Sequence, residues 1–128
     1  MKIADSSFII ALFNKDDEYH RQAEKLLASN QNVAITQAIL WEVVEYFGRK
    51  KGNKAAADAG RAILKAGIPL LDANPDVCRN GLDLMEKYAK LSYCDAISVA
   101  VLSGFKEKQI ISFDSDFDFV PGIERIFR

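Results

Sequence analysis

The chain opens with Lys2-Ile3-Ala4-Asp5, a short apolar run closed by an acidic residue. A second run near the other end, Gln109-Ile110-Ile111-Ser112-Phe113-Asp114, repeats this arrangement. Short apolar runs without alternation are typical of strands that are buried on both faces of a parallel sheet. Ligands of such sheets bind at the carboxyl ends of the strands, so both runs predict an acidic side chain at the ligand-binding edge.

The rest of the sequence alternates strand signals with amphipathic helices. Further strands are predicted at Val33–Ile35 and Ile68–Leu71, and the tail from Ile123 to Phe127 is a candidate for a last short strand. No hairpin turn separates the strands, which favours parallel pairing through helical crossovers. The sequence therefore predicts a single domain, residues 1–128, with an α/β fold: a three-layer α/β/α sandwich around a central parallel sheet. The first helix is predicted at Ser7–Phe13, and a second one follows a cap at Asp16 or Asp17. Further helices are predicted at Gln37–Lys50, Lys54–Ala66, Asn74–Lys90 and Ser92–Ser103.

The composition excludes several classes of protein. The 17 basic and 18 acidic residues give a net charge of -1, so the surface as a whole does not attract polyanions. Two cysteines and one histidine cannot build a disulfide scaffold or a Cys/His zinc site. The apolar run Phe8–Phe13 is too short for a signal peptide, and no run reaches the roughly 20 residues of a membrane span. We expect a cytoplasmic protein with reduced thiols and no membrane association.

Four acidic residues from distant parts of the chain are placed to meet at one edge of the predicted sheet. Asp5 and Asp114 follow strands, Asp95 lies in the first turn of a helix, and Glu42 lies beside the apolar stripe of another helix. Crowded carboxylates repel unless cations lie between them, and an all-oxygen site favours Mg²⁺ or Mn²⁺. One or two such ions are suited to the hydrolysis of a phosphodiester bond.

Each of these acids also has a purely structural interpretation. Ser92-x-x-Asp95 matches a capping box, Asp5 can serve as a turn or N-cap residue, and Glu42 can simply face solvent. The run from Asp114 to Asp118 does not match a calcium-binding EF-hand loop, because Phe119 and Arg125 stand where that loop needs Gly and Glu. An acidic turn, or a metal site that uses Asp114 and Asp116, remains for this run.

Other residues near these acids have two interpretations as well. The basic stretch Arg49-Lys50-Lys51 can contact a nucleic-acid backbone or form the solvated end of a helix. Trp41, next to Glu42, is more typical of a core or an interface than of a base-stacking platform. Cys78 and Cys94 are typical of small buried hydrophobic residues.

Four short motifs, in this order along the whole chain, resemble the PIN-domain family of metal-dependent ribonucleases, and in particular its small VapC-type toxins. Ile3-Ala4-Asp5-Ser6-Ser7 resembles the opening strand and its Asp-Ser motif. Thr36–Glu42 resembles the helix that presents the second acid. Leu91–Ala96, which reads Leu-Ser-Tyr-Cys-Asp-Ala, resembles the segment with the third acid, and Ser112–Phe117 resembles the closing element.

The resemblance implies a PIN-like fold and an endoribonuclease that leaves a 5′-phosphate and a 3′-hydroxyl. It implies one or two Mg²⁺ or Mn²⁺ ions, with supporting hydrogen bonds from Ser6 and Ser112. It also implies the toxin of a type II toxin–antitoxin pair, with RNA as substrate, a cognate antitoxin as partner, and a homodimer formed through helices near Tyr46-Phe47. The implied catalytic and metal-binding residues are Asp5, Glu42, Asp95 and Asp114, with Asp116 in part of the family.

Competing functions remain open at this point. A PIN-type nuclease can process RNA as a housekeeping enzyme without an antitoxin, and a chain with this fold can be a non-catalytic binding protein. A signalling receiver module and a haloacid-dehalogenase-type phosphatase fit less well. Both need a further acid close to the first one, whereas Asp5 is followed by Ser6-Ser7.

Overall fold

Five short parallel strands form one sheet in the computed structural model, which describes all residues 1–128. Six α-helices and one short 3-10 helix connect the strands. None of the helices is both long and apolar enough to cross a membrane. In chain order the elements are β1 (Lys2–Ala4), α1 (Ser6–Phe13), α2 (His20–Ser29), β2 (Val33–Thr36), α3 (Gln37–Lys51), α4 (Asn53–Lys65), β3 (Leu70–Leu71), α5 (Pro75–Lys87), α6 (Tyr93–Leu102), β4 (Gln109–Ile111), the 3-10 helix (Ser115–Phe119) and β5 (Glu124–Ile126).

The strand order is β3-β2-β1-β4-β5, and every neighbouring pair is parallel. The chain winds outward from β1 to β3 and then crosses back to β4, so the winding direction reverses between β1 and β4. Ile3 of β1 is in register with Ala34 on one side and with Ile110 on the other. Because crossovers are right-handed, this reversal puts the two sets of helices on opposite faces of the sheet. The parallel α/β sandwich predicted from the sequence is confirmed.

One continuous core of 22 buried residues lies between the sheet and the helices. The strands contribute fully buried side chains such as Ile3, Ile110 and Ile111. Each such side chain stabilises the fold by about 1.5–3 kcal/mol relative to an exposed one. Phe117 of the 3-10 helix is also fully buried, so it fixes the segment that follows β4 against the core.

Several boundaries differ from the sequence predictions for local reasons. Helix α2 begins at His20, since the Asp17 carboxylate accepts the N–H of Tyr19 at 2.9 Å in a turn instead of capping a helix. Helix α5 ends at Lys87 and not at Lys90. The acidic run after Asp114 forms a 3-10 helix, whereas the sequence offered an acidic turn or a metal site there without a helix.

Of the two residues Tyr46 and Phe47 predicted to lie at a dimer interface, only Tyr46 has accessible surface. Phe47 is 3% exposed and packs in the core of its own chain, while Tyr46 is half-buried beside it. The two rings form an edge-to-face pair with centroids 5.6 Å apart. Phe47 therefore cannot contribute an apolar surface to a partner subunit.

Replacing Asn74 by Ala tests the start of α5. The Asn74 side chain accepts the N–H of Val77 at 2.9 Å, and Pro75 occupies the first helical position. Loss of this cap is expected to lower the free energy of unfolding by about 0.5–2 kcal/mol, measured by urea denaturation. Asn74→Asp keeps an acceptor oxygen and is the matched control; equal loss in both variants would contradict the capping role.

Candidate active site

Asp5 lies directly after β1, at the point between β1 and β4 where the winding of the sheet reverses. Its side chain is only 1% exposed. One carboxylate oxygen, Oδ2, accepts hydrogen bonds from the hydroxyls of Ser7 at 2.9 Å and Ser112 at 2.8 Å. Each hydroxyl has one proton, so both donors are used by Asp5. The 3.2 Å contact between the two serine oxygens is then not a hydrogen bond.

The other oxygen of Asp5, Oδ1, is buried and has no hydrogen-bond partner. Burial raises the pKa of Asp5 above its ordinary value, and the charge of Glu42 adds to this effect, although the two serines and the N–H of Ser6 oppose it. A buried acceptor without a partner destabilises the fold, and a buried charge does so more strongly. Asp5 is therefore a side chain that a cation would stabilise.

Asp95 combines the two interpretations that its sequence motif left open. It forms a full capping box with Ser92: the Ser92 hydroxyl accepts the N–H of Asp95, and Asp95 Oδ2 accepts the N–H of Ser92, both at 3.1 Å. This arrangement uses Oδ2 and leaves Oδ1 for other contacts. Burial together with the charges of Asp5 and Asp114 raises the pKa of Asp95 to about 7. Asp95 thus starts a helix and also belongs to the acidic cluster, which comprises Asp5, Glu42, Asp95 and Asp114.

Glu42 lies in the second turn of α3 and faces the same cluster. Its Oε2 atom is buried without a hydrogen-bond partner, and its charge acts on Asp5. Cys94 lies close enough to Glu42 for the Glu42 carboxylate to act on its thiol. Burial and the charges of Glu42, Asp5 and Asp95 raise the pKa of Cys94 far above its ordinary value. A thiol with a raised pKa is a poor nucleophile, so the site geometry assigns Cys94 no nucleophilic role.

Asp114 is held by the segment that leaves β4. Its N–H donates to Ser112 Oγ at 2.9 Å, and its Oδ1 accepts the N–H of Asp116 at 2.9 Å. The Ser7 hydroxyl also accepts the N–H of Phe113 at 3.0 Å. Ser7 and Ser112 thus connect the ends of β1 and β4 and set the distance between Asp5 and Asp114. The contact of Asp116 with Asp114 is through its backbone.

The hydroxyl beside Asp5 belongs to Ser7, and the supporting hydrogen bonds expected from Ser6 stay a prediction. Ser6 acts on Asp5 through its backbone N–H only. The Ser112 hydroxyl donates to the Asp5 carboxylate itself. The sequence Asp-Ser-Ser contains both serines, and only the direction of α1 decides which one turns back toward β4.

Arg125 of β5 supports the Asp114 segment, a role that the sequence did not indicate. Its guanidinium donates to both oxygens of Asp118 at 2.9 and 3.0 Å and to the carbonyl oxygen of Ser112 at 3.2 Å. It also lies over the ring of Phe127, 4.0 Å from the centroid. Asp118 is therefore engaged by Arg125 and is not a member of the acidic cluster.

The basic stretch at the end of α3 has partners of its own. Arg49 pairs with Glu45 at 4.0 Å on the same helix. Lys51 Nζ lies 3.8 Å from Asp16 and 3.2 Å from the side-chain oxygen of Asn14. Lys51 thereby fixes the α1–α2 loop, which lines a cavity of about 600 Å³ that reaches Asp114. Contact of these basic residues with RNA stays a prediction.

Trp41 is not a core residue, since 63% of its surface is exposed. Its neighbours Cys78 and Cys94 are half-buried and line the same apolar pocket. This exposure excludes the core alternative for Trp41, and the interface alternative given by the sequence stays a prediction. Helical spacing did not reveal this, because Trp41 lies at the edge of the apolar stripe of α3.

The residues present fit a hard divalent cation by the chemistry of their donors. Two buried carboxylate oxygens, Asp5 Oδ1 and Glu42 Oε2, lack partners, and the charges of Asp5, Asp95 and Asp114 act on one another. No three of the side chains are close enough together to form a finished ligand set. A cation would draw the carboxylates inward from these positions. Oxygen-only donors favour Mg²⁺ or Mn²⁺ over softer metals.

A doubly wound α/β protein with acidic side chains at the switch point of its sheet is the class that these features define. Residues 2–123 match the family model described as PIN domain. The chain belongs to the PIN domain family.

Relatives and solved structures agree with this assignment over nearly the whole chain. Ribonuclease VapC13 of Mycobacterium tuberculosis is 25% identical over 130 residues, which cover 98% of this chain and 99% of that protein. The crystal structure of VapC20 of Mycobacterium tuberculosis, described as a Sarcin-Ricin loop cleaving toxin, has a TM-score of 0.85 and 25% identity, and covers 97% of this chain and 98% of that chain. A toxin-antitoxin complex from Klebsiella pneumoniae has a TM-score of 0.70 at 21% identity, covers 96% of this chain and 95% of that chain, and supports the fold alone.

The raised pKa of Asp95 predicts how the metal-free protein responds to pH. Between the ordinary aspartate value of 3.8 and about 7, the folded state binds more protons than the unfolded state. The free energy of unfolding in chelator is therefore expected to fall as pH rises through this window. Urea denaturation at several pH values measures this slope. Asp95→Asn carries no charge and should flatten it; an unchanged slope in Asp95→Asn would contradict the assignment.

Proposed function

We propose that this chain is a metal-dependent endoribonuclease that acts as the toxin of a VapBC-type toxin–antitoxin pair. The observation that carries the proposal is Asp5, a buried carboxylate with one unpartnered oxygen at the switch point of a PIN-domain sheet. The charges of Glu42, Asp95 and Asp114 act within the same cluster. The names of the ribonuclease relatives support RNA as the substrate.

Asp5, Glu42, Asp95 and Asp114 would hold one or two Mg²⁺ or Mn²⁺ ions, with Asp116 at the margin of the site. Such ions, when bound, supply Lewis-acid polarisation of the phosphodiester and activate water for in-line attack. The chain has one histidine, His20, and its Nδ1 lies 2.7 Å from the carbonyl oxygen of Ala11. No imidazole is therefore needed for this chemistry.

The surrounding residues orient the carboxylates. Ser7 and Ser112 hold Oδ2 of Asp5, which leaves Oδ1 directed away from both hydroxyls. Ser92 fixes Asp95 through the capping box, and the Cys94 thiol lies beside Glu42. Groups that orient metal-ligating side chains in this way raise the affinity of a site for its ion.

RNA cleavage by the purified protein is the direct test of the nuclease. We expect cleavage of an RNA pool in Mn²⁺ or Mg²⁺, none in chelator, and none with Asp5→Asn, which keeps the shape of the side chain but loses its charge. The products should carry 5′-phosphates. Cleavage that persists in chelator, or in Asp5→Asn at the rate of the original protein, would refute the proposal.

Removal of the Ser112 hydroxyl tests the support of Asp5. Ser112→Ala takes away one of the two donors to Oδ2, so Asp5 loses its fixed orientation. We expect the affinity for Mn²⁺ and the cleavage rate to fall about 10- to 100-fold, as is usual for groups that hold metal ligands. Ser6→Ala is the matched control, since the Ser6 hydroxyl does not contact Asp5. Equal effects of the two changes would contradict the assigned role of Ser112.

The toxin role is distinguished from housekeeping RNA processing by its effect on cells. Solved toxin–antitoxin complexes share this fold, which favours a partner antitoxin over a free-standing enzyme. We expect expression of the chain to arrest growth, Asp5→Asn to be harmless, and co-expression of a small protein encoded directly upstream to restore growth. Growth that is unaffected by an active nuclease would favour the housekeeping enzyme, and a folded chain without any cleavage would favour a non-catalytic binding protein.

A further inference from the structure

An apolar pocket of about 320 Å³ lies between the first turns of α3, the start of α5 and the first turns of α6. Seven of its eight lining residues are hydrophobic, and the polar one is Gln37. The pocket is lined chiefly by Gln37, Ala38, Trp41, Cys78, Tyr93 and Ile97.

This pocket shares a wall with the acidic cluster. Cys94 lines the pocket, and the charge of the Glu42 carboxylate acts on its thiol. Trp41 precedes Glu42 on α3, and Tyr93 lies two residues before Asp95 on α6. A chain molecule bound at the carboxylates of the acidic cluster would therefore place its neighbouring residues at the mouth of this pocket.

Two aromatic side chains with exposed surface line the pocket, and one of them is fixed in place. Trp41 is 63% exposed and Tyr93 is 38% exposed. The Tyr93 hydroxyl donates to the carbonyl oxygen of Cys78 at 3.1 Å, which holds the ring against α5. Gly81 makes this close approach possible, since a Cβ atom there would lie 3.2 Å from Tyr93 Cε1 and 2.9 Å from Ile97 Cδ1.

We propose that this pocket binds one unpaired base of single-stranded RNA beside the bond that is cut, with Trp41 as the stacking platform and Gln37 reading the polar edge of the base. The inference rests on the proposed ribonuclease function. Unstacked bases bind proteins by stacking on aromatic rings and by hydrogen bonds at their edges. The pocket offers both kinds of contact in one place.

The charge of the protein also favours a base as the occupant. The net charge is -1, the neighbouring cluster is acidic, and no basic residue lines the pocket. The backbone phosphates of RNA thus have little favourable electrostatic interaction with this edge of the protein. Stacking of the base therefore has to supply much of the binding affinity there. A purely apolar protein segment would leave the Gln37 amide at the rim without a matching polar group.

Trp41 is the only tryptophan of the chain, so its fluorescence reports on the pocket directly. Oligoadenylate and oligouridylate are added to the wild-type protein in EDTA, where cleavage is stopped. Stacking of a base on Trp41 predicts saturable quenching, and an abasic ribose-phosphate chain should give none. Equal fluorescence changes with the abasic chain, or no change with any chain, would overturn the proposal that this pocket binds a base.

Cleavage kinetics in Mn²⁺ provide the second readout. Trp41→Ala is expected to raise KM roughly 5- to 150-fold with kcat little changed, the effect of losing one stacked base, and Trp41→Phe should restore much of the loss. Leu64→Ala, at a residue that is 58% exposed on α4 outside the pocket, is the matched control. An unchanged KM in Trp41→Ala would overturn the inference.

The outcomes separate this inference from the proposed function. Quenching without any cleavage would refute the nuclease and leave the base pocket supported. Cleavage without quenching, and with normal KM in Trp41→Ala, would refute the pocket and leave the nuclease intact. If Trp41→Ala instead weakens binding of a purified antitoxin and leaves RNA cleavage unchanged, the pocket is a protein-docking surface and the inference is wrong.

Discussion

The burial of the Asp5 carboxylate is the constraint on which the rest of the site depends. The residue follows β1 at 1% exposure, one of its oxygens has no partner, and the charge of Glu42 acts on it. In water this carboxylate would be fully solvated, so its position destabilises the empty protein. Destabilising groups of this kind are common at functional sites, where binding of a ligand stabilises them.

The neighbouring elements limit this cost and give the acid its direction. Ser7 from α1 and Ser112 after β4 both donate to Oδ2, which also connects the two central strands at the switch point. Arg125 holds the Ser112 carbonyl, and fully buried Phe117 anchors the following turn. The same contacts therefore stabilise the fold locally and keep the acidic cluster in one arrangement. Packing and site geometry are not separable here.

Sequence reasoning found the parts of the site that depend on strand ends and helix starts. Asp5 and Asp114 follow buried runs, and the Ser92-x-x-Asp95 motif marks a helix start that the structure contains. The contact of the Ser7 hydroxyl with Asp5 was not predicted, because it depends on how α1 leaves the sheet. The sequence left Trp41 open between a core and an interface, since its exposure depends on how α3 packs against its neighbours and not on the pattern of one helix.

The most direct test of this account compares the wild-type protein with Asp5→Asn in two conditions, chelator and saturating Mn²⁺, at about pH 8. Thermal or urea unfolding measures the stability of each. The account predicts a reversal: Asp5→Asn is more stable in chelator, because a buried charge is gone, and wild type is more stable in Mn²⁺, because only it gains from binding the ion. The same order of stability in both conditions, or no effect of Mn²⁺ on wild type, would contradict the claim that a cation balances Asp5.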